Sequence, residues 1–356
     1  MSADYWASSQ RSKWQMTRHQ LMEARRKVLL LEKKMIQNGL IKDYANVHYD
    51  LNMRIYLHTL LVRLGRRLNI RQVALATAEV YLSRFLTRVS VKEINVYLLV
   101  MTCVYVACKV EECPQHIRLI LSEARNLWPE YIPHDVTRLA EFEFYLVEEM
   151  DSYLYLHHPY NSLIQIRDFL HQNTAIYNFR LTDDELQNAW SLINDSYITD
   201  LPLFMPPHIV AAAAIYITFV LKKNMAQLRG GGTNLGSNGA SSDSTGLTAS
   251  SNPGGGATTV SGPSAEANMH IDDLMTLVNP GAQGGGGMSA AKDLNTMNGD
   301  DEIVKINRFM NFLTHSHINL DEVVEAMQDM VNLYVMWNRY NENTIKKALQ
   351  LMLLQR

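Results

Sequence analysis

The chain has 356 residues, 47% of them apolar, and its 33 basic and 36 acidic side chains leave a formal charge of −3. That is material for two domains with a sizeable core, and it excludes a whole-molecule basic field that would draw the protein onto nucleic acid. Cys103, Cys108 and Cys113 fall in one helical-looking stretch, in neither a disulfide framework nor a zinc spacing, which fits a reducing compartment. The polar residues after Met1 do not read as a secretion signal. The longest apolar run, 209–221, is too short for the roughly 20 residues that span a bilayer, so it is expected to be a buried core helix.

In chain order, residues 10–36 read as a basic helix with Trp14, Leu21 and Val28 at seven-residue spacing, expected to pack on the first of two bundles. The first bundle is predicted to use helices over 49–68, 71–87, 92–111, 117–126 and 134–149. Its third helix carries Val96, Leu99, Val100, Cys103, Ala107 and Val110 on one face at helical period. The second is predicted over 159–171, 183–198, 207–226, 301–313 and 320–340, with Pro206 and Pro207 at the start of its middle helix, where a missing N–H costs nothing. Ala211 to Ala214 allow close approach of neighbouring helices. Val104-Tyr105-Val106-Ala107 and Ala214-Ile215-Tyr216-Ile217 suggest a weak internal repeat. Sixteen of the eighteen glycines lie between Gly230 and Gly299, so 229–300 reads as a disordered Gly/Ser/Asn-rich insertion with one short apolar patch at 269–278. The organisation expected is an N-terminal segment and helix over 1–40, bundles over 41–156 and 157–345, and a C-terminal tail over 346–356.

Ala107-Cys108-Lys109-Val110-Glu111-Glu112, followed by Leu139-Ala140-Glu141-Phe142-Glu143-Phe144-Tyr145-Leu146, resembles the cyclin box. Within the cyclins, Tyr5-Trp6-Ala7-Ser8-Ser9, Glu143-Phe144-Tyr145-Leu146, His158-Pro159-Tyr160 and Asn194-Asp195-Ser196-Tyr197 look like the cyclin C subfamily, the regulatory partner of the Mediator complex kinase. The resemblance implies an all-α fold of two tandem five-helix boxes with an extra N-terminal helix. It also implies a nuclear, non-enzymatic regulator of RNA polymerase II transcription with no cofactor, no membrane and no direct nucleic acid. Its partners would be a cyclin-dependent protein kinase and other Mediator kinase-module subunits.

A search for catalytic constellations gives none: His157-His158 and His315-Ser316-His317 lack zinc spacing and read as surface or capping residues, and Gly284 to Gly287 lack a following Lys-Ser or Lys-Thr. By itself Lys109 reads as a snorkelling side chain at the edge of a buried face. The resemblance implies that Lys109 and Glu143, with Glu141 as rival, grip kinase backbone groups, and that Val106, Val110, Val147 and Leu154 form an aliphatic pocket. It further implies a groove for a Mediator subunit at Trp6, Arg71, Glu111, Trp190, Asn194 and Asp195. Met53-Arg54-Ile55-Tyr56-Leu57 partly resembles a substrate-docking patch, with core packing as the other reading, and Leu60 stands where cell-cycle cyclins place tryptophan. The paired cyclin-like bundles of transcription factor IIB supply an alternative, a nucleic-acid-binding protein using Arg63, Arg66, Arg67, Arg71, Arg84 and Arg88. Those arginines would have to line one face.

Overall fold

The computed structural model describes residues 4–44, 46–231 and 296–354, and all regular structure among them is helical. The expected glycine-rich insertion, with its 269–278 patch, lies almost wholly outside the described residues. The helices on either side reach Gly231 and begin at Thr296, longer than the sequence suggested.

The first bundle comprises α2 (Leu51–Arg67), α3 (Gln72–Phe85), α4 (Val96–Val110), α5 (Ile117–Leu127) and α6 (Val136–Glu149), after an N-terminal α1 (Arg18–Gln37). Helix starts are fixed by side-chain caps: Asp50 accepts from Met53 N at 2.8 Å, Asn95 from Tyr97 N at 3.0 Å and Asp135 from Thr137 N at 2.9 Å. Apolar on nearly every side, α4 runs through the centre and touches α2, α3, α5 and α6.

The second bundle repeats the plan with α7 (Pro159–Gln172), α9 (Asp183–Ser196), α11 (Pro207–Gly231), α12 (Thr296–His315) and α13 (Leu320–Trp337), plus the short α8 (Thr174–Tyr177) and α10 (Leu201–Phe204). A Thr182/Glu185 capping box starts α9. The central helix is α11, in contact with α7, α9, α12 and α13. Ala211 to Ala214 are fully buried there, so the alanine run brings neighbouring backbones close. The apolar run 209–221 belongs to this buried helix, and no described helix is long and apolar enough to cross a membrane.

Two parts depart from expectation. Residues 10–36 are not one helix: a single π turn (Gln10–Trp14) is followed by extended backbone, and α1 starts afresh at a Thr17/Gln20 capping box. The seven-residue spacing therefore serves two bodies. Trp14 enters the first core, Leu21 the second, and Val28 is half-buried. Residues 346–356, read as a tail, mostly belong to α14 (Glu342–Leu354), which returns to the first bundle, where Leu349 and Met352 are fully buried in the core. Glu342 at its start pairs with Arg63 of α2 at 3.0 Å.

Asp200, just before α10, ties three elements together. It receives Arg25 of α1 at 2.6 and 2.9 Å and Arg54 of α2 at 2.7 Å. Burial alone would raise its carboxyl pKa, but the two guanidinium groups outweigh burial and hold it below the ordinary value.

Leu349→Ala should lower unfolding free energy by about 2–5 kcal/mol, the usual cost of emptying a fully buried leucine site. A thermal or urea melt of the full chain checks this. A loss within about 0.5 kcal/mol, typical of a surface position, would mean that the last helix is an accessory tail.

Candidate functional site

Helix α4 ends in a tight turn that presents Lys109 at the surface while Cys108 and Ala107 stay in the core. Across the helix pair, α6 presents Glu143, and the two side chains form a hydrogen-bonded ion pair. The Lys109 ammonium also lies 4.4 Å from the centre of the Tyr105 ring. Burial acts against the charge of Lys109, but Glu143 and Tyr105 outweigh it and hold the pKa above its ordinary value. Glu141 points elsewhere, toward Arg138 at 3.3 Å, and both are open to solvent. Of the two rival glutamates, Glu143 is the one beside Lys109.

The four expected pocket residues all adjoin the first core. Val110, Val147 and Leu154 are half-buried and keep free surface, whereas Val106 is only 2% exposed and is core. The turn after α6 is shaped by left-handed backbone at Asp151 and Ser152, with φ of 51° and 59°. Arg88 caps the helix end at Glu149 O (2.7 Å), and Tyr81 holds Leu154 O at 2.6 Å. Sequence reasoning passed over Phe144 and Tyr155, exposed by 76% and 59% near Glu143 and Leu154 in the chain. Large exposed aromatics of this kind are what an interface core is made of, but strand or helix period alone cannot separate them from buried ones.

Behind this surface runs a directed chain of hydrogen bonds. Thr77 Oγ1 donates to Glu111 Oε1 at 2.6 Å, so the same oxygen accepts from His158 Nε2 at 2.8 Å. His158 Nδ1 then accepts from the Tyr197 hydroxyl at 2.6 Å. The imidazole is thus neutral, with its proton on Nε2. Burial, then the charges of His157 and Arg84, push its pKa down to about 3, so its 4.0 Å approach to Glu111 is not an ion pair. His158 was expected at the surface or as a cap. It does stand at the N-cap of α7, but its side chain is buried in the seam between the bundles and makes no capping bond.

Of the six residues expected to form one groove, Asn194 and Asp195 line one cavity, Trp6 lines another, and Arg71, Glu111 and Trp190 line neither. The first lies between α2, the start of α3, α9 and α13, and is lined by His58, Arg66, Asn194, Asp195 and Tyr334 among others. Tyr334 donates to Asp195 at 2.7 Å, and Tyr160 donates to Asn194 at 2.7 Å while stacking on Trp190 at 4.4 Å. Exposed Arg71 stands between two lining residues, Ile70 and Gln72. Trp6 lines the other cavity, with His157, His208 and His317. A short 3-10 turn capped by Asp4 puts the Trp6 ring 5.8 Å from His208 and 5.8 Å from Arg11. Glu111 lines neither cavity and faces Thr77. The separation arises because Trp6 rests by His208 at the start of α11, while Asn194 and Asp195 on α9 line the cavity shared with α2 and α3.

The arginine series fails as a nucleic-acid face. Arg84 is buried, and it and Arg88 lie 4.6 and 4.7 Å from the Trp14 ring. Arg88 pairs with Asp151, Arg63 with Glu342 and Arg67 with Glu123. The docking-patch alternative fails as well, because Met53, Ile55, Tyr56, Leu57 and Leu60 are buried and Arg54 is bound to Asp200. Core packing is their role.

Paired helical bundles, each wound around a central helix, with a lysine at the end of the first central helix, define a cyclin-type regulator. Residues 20–155 match the family model "Cyclin, N-terminal domain". Over its full length the chain is 69% identical to the RNA polymerase II holoenzyme cyclin-like subunit of Scheffersomyces stipitis and 40% identical to that of Saccharomyces cerevisiae, covering 99% and 98% of those proteins. The same subunit of Candida albicans is 56% identical over the whole of both chains. A chain in the structure of the CAK complex from Chaetomium thermophilum bound to ATP-gamma-S has the same fold, with a TM-score of 0.54 at 14% identity over 98% of this chain and 87% of that one. The protein belongs to the cyclin family, in its cyclin C subfamily.

Because the folded-state pKa of His158 is about 3 and the unfolded value is about 6.5, the unfolded chain binds the extra proton between these limits. The seam should therefore contribute its full stability above pH 6.5 and lose it steadily as pH falls toward 3. Urea midpoints from pH 7.5 to 4 should fall for the natural chain. His158→Gln, less stable at pH 7.5, should show a flatter profile. Parallel profiles would assign the acid sensitivity to other groups.

Proposed function

We propose that this chain is the regulatory cyclin of a cyclin-dependent kinase in the Mediator kinase module, acting in the nucleus on RNA polymerase II transcription and carrying no catalytic residue of its own. The names of its relatives support the transcriptional setting, and the observation that carries the reading is the Lys109–Glu143 pair on an open surface. A lysine offers three donors and a carboxylate four acceptor sites, so each can release part of its partner's valence to a kinase backbone C=O or N–H. Val110, Val147 and Leu154 supply apolar area beside them, and exposed Phe144 extends it.

Activation then needs no chemistry from the cyclin. A kinase whose regulatory helix rests outward has its helix glutamate away from the ATP-binding lysine. A partner that binds only the inward arrangement shifts the balance, and reversing a 1:99 ratio takes roughly 5.5 kcal/mol of differential binding. A standard-size interface of about 1,600 Å² can supply this. The cavity lined by Asn194 and Asp195, with Arg71 at its edge, is proposed as the docking place of a further module subunit.

Lys109→Ala combined with Glu143→Ala should lower kinase affinity, and activation with it, by about 100-fold or more, since two hydrogen bonds to charged groups contribute about 1.5–3 kcal/mol each. Circular dichroism should be unchanged, and Glu141→Ala should behave as the natural chain. Kinase assays with the isolated cyclin separate activation from mere tethering; undiminished activation by the double variant would refute the proposal.

A further inference from the structure

The turn that carries Lys109 is closed by two cysteines. Cys113 N donates to Cys108 O at 2.9 Å, and Glu112 between them adopts left-handed backbone with φ of 55°. This is the Schellman end of a helix, in which the third residue before the cap and the second after it bring their side chains together. Here those residues are Cys108 and Cys113, with Pro114 next in the chain. The sequence had suggested three cysteines along one helix, but Cys113 lies beyond the helix end. Standard bond lengths and that hydrogen bond hold the two Cα atoms within roughly 6.8 Å, inside the span of a disulfide. Cys113 packs against the core cluster that contains Cys108. Both are free, Cys108 buried and Cys113 half-buried.

We propose that Cys108 and Cys113 are a thiol modification site that a hydroperoxide converts to a disulfide, closing a ring around Lys109. The half-buried Cys113 reacts first. Its thiolate attacks hydrogen peroxide, an S–O bond forms as O–O breaks, the sulfur is oxidised by two electrons, and the departing hydroxide takes up the proton the thiol gave off and leaves as water. Cys108 is poorly reactive by itself, since burial and then its neighbour Cys113 push its thiol up to about 12. The closed turn holds it beside the new sulfenic acid. Its sulfur forms the S–S bond while S–O breaks, and its proton leaves with the hydroxide as a second water.

The bond draws the sulfurs to about 2.05 Å, and Lys109, Val110, Glu111 and Glu112 lie inside the ring it closes. Shifting this turn moves Lys109 relative to Glu143. Oxidation should therefore weaken kinase binding, a consequence that rests on the function proposed above. The disulfide itself does not depend on that reading.

The full chain is treated with hydrogen peroxide while folded, then denatured, alkylated and digested for mass spectrometry. The expected product is a linked Cys108–Cys113 peptide lighter by two hydrogens, reversed by a thiol reductant, with buried Cys103 recovered as free thiol. Cys113→Ser should abolish the link while melting like the natural chain. Recovery of Cys113 as sulfinic acid, or of chains cross-linked through Cys113 with Cys108 free, would overturn the proposal. In pull-downs of the kinase recovered with the reduced chain, oxidised protein should bind several-fold less and Cys113→Ser equally in both states. Equal binding by oxidised and reduced natural chain, with the disulfide formed, would overturn the regulatory step alone. Failure of the kinase-binding reading would show separately, as binding by the reduced chain that ignores Lys109→Ala.

Discussion

Tyr197, His158, Thr77 and Glu111 form one directed line of hydrogen bonds from the second bundle, through the connecting segment, into two helices of the first. Each donor has one acceptor, and the order holds only if the imidazole is neutral with its proton on Nε2. Such a chain fixes orientation as well as distance, because any member turned over leaves a buried polar group unmatched. Glu111 at its end is the C-cap residue of the helix that carries Lys109. The placement of the second bundle and of the surface lysine is therefore set by the same four residues. The ion triad of Arg25, Arg54 and Asp200 fastens the N-terminal helix to both bodies from another side.

This rigidity suits a regulator that works by offering a surface. Lys109 and Glu143 satisfy each other in the free protein, so neither charge has to be stripped of water without compensation when a partner arrives. The exposed aromatic and half-buried aliphatic residues beside them remain unpaired with core. Strong, preorganised groups framed by apolar area bind with little ordering cost.

Much of this was legible because helical period and small-residue runs report burial directly. Val96, Leu99, Val100, Cys103 and Ala107 are core, and Ala211 to Ala214 occupy the middle of the second bundle as their size suggests. Thr17-x-x-Gln20 could have revealed the break after Trp14, but seven-residue spacing across it concealed the change of body. The last helix was missed although Ile345, Leu349, Met352 and Leu353 fall at helical spacing, because their partners lie in the first bundle, far away in sequence. His158 shows the same limit. A histidine before proline looks like a cap, and its two partners, Thr77 and Tyr197, become visible only when the chain has folded. The two cavities likewise depend on how α9 and the N-terminal turn are aimed, which no local pattern encodes.

The return of Leu349 and Met352 to the first core bears on the order in which the chain is made. Residues near Tyr56 and Tyr97 leave the ribosome roughly 250 to 300 positions before the helix that completes their cluster. During synthesis, which runs at roughly 5–20 residues per second, the first bundle is an unfinished body with an open apolar face. Its completion waits for the second bundle and everything between. Truncated products of this chain thus lack part of the first domain's interior as well as the end of the second, and leave the apolar positions under Leu349 and Met352 uncovered.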